Sequence, residues 1–206
     1  DYLGAGFQVA MEDLRLRGAG NILGEVQSGH MSRVGLDLYL EMLEEAVSRL
    51  KGMPAATVAE TELNIGLPAH IPQEYIADGR ERLRCYKALS SAVDGAAREE
   101  VALSLRDRFG AFPVELENFL AVLDFKQFLG ELQVQRADIT LDHVKLVWAD
   151  GQDAVSPEKL VALAAETPGA RLLPPAGLFC PLPQGMSVGE GLNAIRAKLE
   201  TARLPR

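Results

Sequence analysis

The chain has 206 residues, with 21 Lys+Arg against 29 Asp+Glu for a formal charge of −8, and is 48% hydrophobic and 24% charged. Such a composition excludes a disordered chain, and at this length enough apolar surface is available to build a core without disulfide or metal staples. The acidic balance excludes a nucleic-acid-binding surface spread over the whole molecule, because phosphate neutralisation needs clustered Lys and Arg. Any DNA contact is therefore local.

Residues 4–35 are rich in glycine, with Gly4, Gly6, Gly18, Gly20, Gly24, Gly29 and Gly35 between short apolar and charged runs, so the backbone bends repeatedly. Within them, residues 9–17 fit a strand or a short helix equally well. A clear helical period begins at Leu36 and continues through Leu40, Leu43, Val47 and Leu50, with Asp37, Glu41, Glu44, Glu45 and Arg49 opposite. Gly52 and Pro54 end that helix and open a small, uncharged stretch that reads as a domain boundary. Two segments follow from it, 1–52 and 57–206.

In the second segment, Leu63, Ile65 and Leu67 alternate as a strand that Pro68 ends. Asp78 then caps a helix carrying Leu83, Tyr86 and Leu89. Residues 96–109 form the next helix, with Gly110 in the left-handed αL position after it, and Pro113 opens a third through Leu116, Phe119, Leu120, Leu123 and Phe128. Two strands joined near Asp142 and His143 cover residues 139–148. Ser156 and Pro157 start a helix running to about Glu166, Leu172 and Leu178 flank a proline-rich stretch that reads as a short hairpin or a bent edge strand, and residues 189–203 are a last helix. Helices and strands do not alternate regularly. The expected fold class is α+β: an N-terminal helical hairpin segment, then a mixed α+β domain with a small, mainly antiparallel sheet.

Cys85 and Cys180 stand far apart, and His30, His70 and His143 share no metal-ligand spacing with them, so both cysteines read as small core residues in a reducing compartment. No apolar run is long enough to span a bilayer, and no signal segment opens the chain, which begins without Met. This reads as a cytoplasmic piece of a longer protein.

The unusual chemistry is concentrated near the start. Arg15 and Arg17 project to one side if their segment is extended, Gly18 and Gly20 let a backbone or ligand come close, and Gln27, Ser28 and Gly29 follow. Arginine suits bidentate contact with carboxylate or phosphate, and glutamine both donates and accepts. Surface ion pairs with Glu12 or Asp13 would use the same arginines. An alternative is a stand-alone phosphate- or nucleotide-binding enzyme built on the loop from Gly18 to Gly24. That loop is one residue too long for Gly-x-Gly-x-x-Gly, and the sequence contains no Gly-x-x-x-x-Gly-Lys-Ser/Thr.

From Gly4, Gly6 and Phe7 to Gln27, Ser28 and Gly29 the sequence closely resembles the translocation motif shared by the RecG helicase and the Mfd-type transcription-repair coupling factors. RecG usually has proline where this chain has Ala19. The continuation resembles the coupling factors: Gly35, Leu36, Asp37, Leu38 and Tyr39, then Leu67, Pro68, Ala69, Ile71, Pro72, Tyr75, Ile76, Asp78, Arg82, Leu83, Tyr86, Lys87, Asp107, Arg108, Phe109, Gly110 and Pro113. The resemblance runs over about residues 1–125. It implies that 1–52 is the translocation hairpin at the end of the second motor lobe, with its essential Arg and Gln at Arg17 and Gln27, and that 57–206 is a regulatory domain masking a UvrA-recruiting domain of the same chain. It also implies double-stranded DNA and RNA polymerase as partners through the full-length protein, in a bacterial cytoplasm. ATP and Mg2+ would belong to the motor lobes, leaving this fragment without cofactor, metal or catalytic residue.

Overall fold

A computed structural model of the protein describes residues 61–204. The predicted hairpin segment, the helix at 36–50 and the boundary at 52–57 lie outside the described residues. In chain order the elements are β1 (Glu62–Gly66), α1 (Gly79–Ser90), α2 (Gly95–Phe109), α3 (Val114–Glu131), β2 (Val134–Thr140), β3 (His143–Trp148), α4 (Pro157–Glu166), β4 (Arg171–Leu173), β5 (Gly177–Pro181) and α5 (Val188–Ala202).

The five strands form one sheet in the order β1-β2-β3-β5-β4. Three pairings are antiparallel, β2 with β3, β3 with β5 and β4 with β5, while β1 runs parallel to β2. The α+β class is as expected and the sheet is mixed. The parallel pair follows from connection length: α1, α2 and α3 all lie between β1 and β2, and a crossover of that size lets the chain re-enter the sheet from the same end. By contrast, Leu141 and Asp142 alone join β2 to β3, so that pair is an antiparallel hairpin.

One face of the sheet is covered and the other is half open. Ile65, Ala137, Ile139, Val144, Leu146, Trp148, Leu178 and Cys180 are buried with Phe125, Phe128 and Leu129 of α3 and Leu192, Ile195 and Leu199 of α5. Asp138, Lys145 and Phe179, alternating with them, are only partly covered. The pairing slips between Val134 and Arg136, so Val134 and Ala137, three apart, both face the core. Long-range polar contacts close the edges of this core. Trp148 Nε1 donates to Leu132 O (3.0 Å), Thr61 Oγ1 donates to Val134 O (2.7 Å), and Asn118 Nδ2 donates to Pro68 O (2.9 Å).

Caps set the helix starts. Asp78, Asp94 and Ser156 each accept a backbone N–H of the first turn, and Ser187 with Glu190 forms a complete capping box. Three boundaries differ from the sequence expectation. Pro113 is the N-cap of α3, with ψ 156°, and the first helical residue is Val114. Gly110 has φ 90° and ψ −161°, the extended positive-φ region that glycine alone visits readily, instead of the αL cap; it carries the chain sharply away from α2. β2 begins at Val134, well before Ile139, and Leu141 is an exposed turn residue (58%), because the alternation that marks a strand is broken by the slip at Gln135.

Candidate interaction surface

Arg15, Arg17, Gly18, Gly20, Gln27, Ser28 and Gly29, the predicted site residues, lie outside the described residues. The second motif series is described, and its members converge on one structure, the connection at residues 67–78 and the helices that hold it.

That connection leaves the sheet after β1 and must be tied down, since its backbone makes no ladder of its own. Arg82, 8% exposed, reaches back from the first turn of α1 so that its Nη1 donates to Ile76 O (2.6 Å) and Ala77 O (3.2 Å). Tyr86 Oη accepts from Ile71 N (2.6 Å) while its ring meets Phe119 edge-on at 5.2 Å. Burial pushes the Tyr86 hydroxyl up from its ordinary range, so it stays protonated. Tyr75 Oη lies 2.9 Å from Gly110 O and 3.3 Å from Leu105 O, and its ring packs against Phe109 and Phe112. Three of the motif residues, Tyr75, Arg82 and Tyr86, are thus internal fasteners. Sequence reasoning missed the role of Arg82, yet a signal was present: Arg82, Cys85 and Leu89 share the buried stripe of α1, and a buried arginine must find acceptors.

The outward side of the same helices is charged. Glu81 accepts from Arg108 Nη2 (2.6 Å) and pairs with Arg84 Nη1 (3.4 Å). The Arg108 hydrogen bond holds its carboxyl below the usual glutamate range against the opposing effect of burial, and the charges of both arginines add to the lowering. The Arg108 guanidinium also sits 4.8 Å above the Phe109 ring. Arg106 and Asp107 are exposed beside it, with Leu103 protruding from α2 at 52% exposure. This array can meet a protein partner of complementary charge.

Its surroundings bear on chemistry elsewhere. Burial raises the Cys85 thiol pKa and pushes that of Cys180 up to about 11, so neither is a ready nucleophile. The Thr140 hydroxyl beside His143 Nδ1 (3.0 Å) accepts the backbone N–H groups of Asp142 and His143, which makes it a turn fastener. Among the described residues no group of His, Cys, Asp and Glu converges where a metal ion could be held, and no helix is long and apolar enough to cross a membrane.

The connection and its fasteners fall inside a segment, residues 65–160, that matches the TRCF domain. Residues 65–160 belong to the TRCF domain family. The chain is similar to the transcription-repair-coupling factor of Bacillus subtilis, 38% identical over 163 residues that cover 78% of this chain and 14% of the relative. Identity to that of Myxococcus xanthus is 35% over 187 residues, 90% of this chain and 15% of the relative, and to that of Staphylococcus aureus 41% over 126 residues, 60% and 11%. The chain thus spans about one seventh of the length of the first two relatives. A crystal structure of the C-terminal domain of transcription-repair coupling factor superposes with a TM-score of 0.58 at 21% identity, covering 70% of this chain and 94% of that one, which shows a shared fold. The fasteners Tyr75, Arg82 and Tyr86 are therefore fasteners of a TRCF domain.

Proposed function

We propose that the chain is the C-terminal part of an ATP-dependent translocase that moves on double-stranded DNA, displaces stalled RNA polymerase and couples transcription to nucleotide excision repair. The observation that carries this reading is the TRCF domain at 65–160, together with an alignment to a coupling factor covering 90% of the chain and so reaching into both predicted segments. In this reading residues 1–52 turn motor closure into DNA stepping through Arg17 and Gln27, with Arg15, Gly18, Gly20, Ser28 and Gly29 shaping the loop. ATP and Mg2+ act in the motor lobes of the full-length protein. The fragment itself hydrolyses nothing, and works in the bacterial cytoplasm.

Residues 57–206 act as an autoinhibitory domain that covers the UvrA-recruiting domain of the same chain until the motor engages polymerase. We assign the contact to the outward side of α1 and α2 by subtraction. Of the motif residues, Tyr75, Arg82 and Tyr86 are committed internally, whereas Asp107 and Arg108 remain at the surface next to exposed Leu103. A charged contact of this kind is reversible and salt-sensitive, as a switch requires.

In the full-length protein, Arg17→Ala or Gln27→Ala is expected to abolish polymerase displacement while leaving most of the ATPase. Unchanged displacement refutes the motif assignment. Deletion from residue 57 onward is expected to raise UvrA affinity or DNA-dependent ATPase, and wild-type levels of both refute the regulatory role. The nucleotide-enzyme alternative on the Gly18 to Gly24 loop is separated by titrating the chain with ATP, where no binding is expected.

A further inference from the structure

A cleft of about 250 Å³ opens between the end of α4, the middle of α5 and β5. Leu163, Ile195 and Leu199 form its helical wall, Pro181 and Pro183 the opposite one, and Cys180 its floor. The walls are stiff. The three helical residues are core members, and the prolines have a fixed φ and no N–H to satisfy. Gly191 brings α5 against the chain leaving β5: a Cβ there would lie 2.7 Å from Leu182 Cδ2. The cleft is therefore preformed, and filling it does not require ordering the protein.

Its size selects the occupant. Cofactor and small-molecule sites occupy about 300–1,000 Å³, whereas a cavity of roughly 150 Å³ takes a single benzene. The cleft lies between, the right size for one large aromatic or branched side chain. Its floor is apolar as well, since the buried Cys180 thiol stays neutral and behaves as a small hydrophobe.

Its mouth supplies the second criterion. Lys198, exposed on α5 beside Leu199, donates from Nζ to Thr167 Oγ1 at 3.0 Å, and among the described residues it forms no ion pair. A neutral hydroxyl thus holds an ammonium at the edge of an apolar cleft, with two of its three donors left for an anion. Elsewhere on this acidic chain the cations Arg84, Arg108 and Arg203 already pair with carboxylates.

We propose that the cleft is a docking site for a peptide segment of a partner protein that carries a large apolar side chain next to a carboxylate. The side chain fills the space between Leu163, Ile195 and Pro181, and the carboxylate pairs with Lys198. The site does not depend on the coupling-factor reading and lies on elements other than α1 and α2.

The test is a methyl and amide NMR titration of the 206-residue chain with two capped octapeptides that differ only in carrying Phe-Glu or Phe-Lys at the centre. The Phe-Glu peptide is expected to shift the methyl signals of Leu163, Ile195 and Leu199 saturably and to bind about fivefold more tightly, the factor given by an exposed ion pair at the upper end of its range. Lys198→Glu should invert the preference. Ala194→Phe, which fills the cleft, should remove binding of both peptides, and if that variant does not fold, Thr167→Val should reduce the charge preference alone. Equal affinity for the two peptides, or shifts confined to another surface, overturns the proposal. So does movement of the same signals with protein concentration alone, which makes the cleft a contact between copies, or with a single-stranded oligonucleotide.

Discussion

Replacing Arg82 by methionine isolates what holds the connection between β1 and α1. The methionine keeps most of the buried aliphatic stem and removes the guanidinium, leaving the carbonyl of Ile76, itself 2% exposed, without the 2.6 Å donor it has now. Hydrogen bonds from charged donors contribute about 1.5–3 kcal/mol, and a buried orphan carbonyl costs about 1–3 kcal/mol. These describe the same loss, so the expected destabilisation is about 2 kcal/mol, or a fall in Tm of roughly 4–8 °C for a chain of this size. Arg84→Met is the control, because Arg84 is 78% exposed and its pair with Glu81 is a 3.4 Å surface contact. Urea unfolding followed by Trp148 fluorescence measures both, since Trp148 is the chain's single tryptophan and is buried in the core. The reasoning is refuted if Arg82→Met stays within about 0.5 kcal/mol of the parent, or if Arg84→Met costs as much, because the stabilisation would then come from charge and not from the buried carbonyl.

Three further outcomes follow from the geometry. Trp148→Phe leaves Leu132 O, 3.0 Å from the indole nitrogen at the end of α3, without its donor; a loss of about 1–2 kcal/mol is expected in urea unfolding followed by circular dichroism. At the start of α5, the Ser187 backbone N–H and hydroxyl hold the Glu190 carboxyl below its ordinary range. A depressed carboxyl contributes stability that is complete above its unfolded pKa and lost as pH falls through the folded value, so Glu190→Gln should destabilise at pH 7 and converge on the parent as pH falls through that folded value. An unchanged gap down to pH 3 contradicts the capping assignment. With its thiol pushed up to about 11 and its side chain buried, Cys180 should resist maleimide at pH 7.5 in the native chain and label readily in urea, as read by mass spectrometry.

What the sequence by itself determined is local. Asp78 and Ser156 announce helix starts because a side-chain oxygen satisfies a backbone N–H only a few residues away, and the 3- and 4-residue apolar steps of Leu116, Phe119, Leu120 and Leu123 in the α3 segment report a buried stripe wherever that stripe goes. The spaced motifs at 67–113 were equally legible, and they pointed to the TRCF domain. Only the tertiary structure decided the rest. The start of β2 was hidden by a slip in pairing, and no local signal states that β1 lies parallel to a strand some seventy residues away. The fastening of the connection by Tyr75 and Tyr86, and the cleft beneath Lys198, are made of residues that meet only after the helices have packed. Hydrogen bonds to a cap close a loop of a few residues, whereas these contacts close loops of tens, and their partners are chosen by how the whole core fits together.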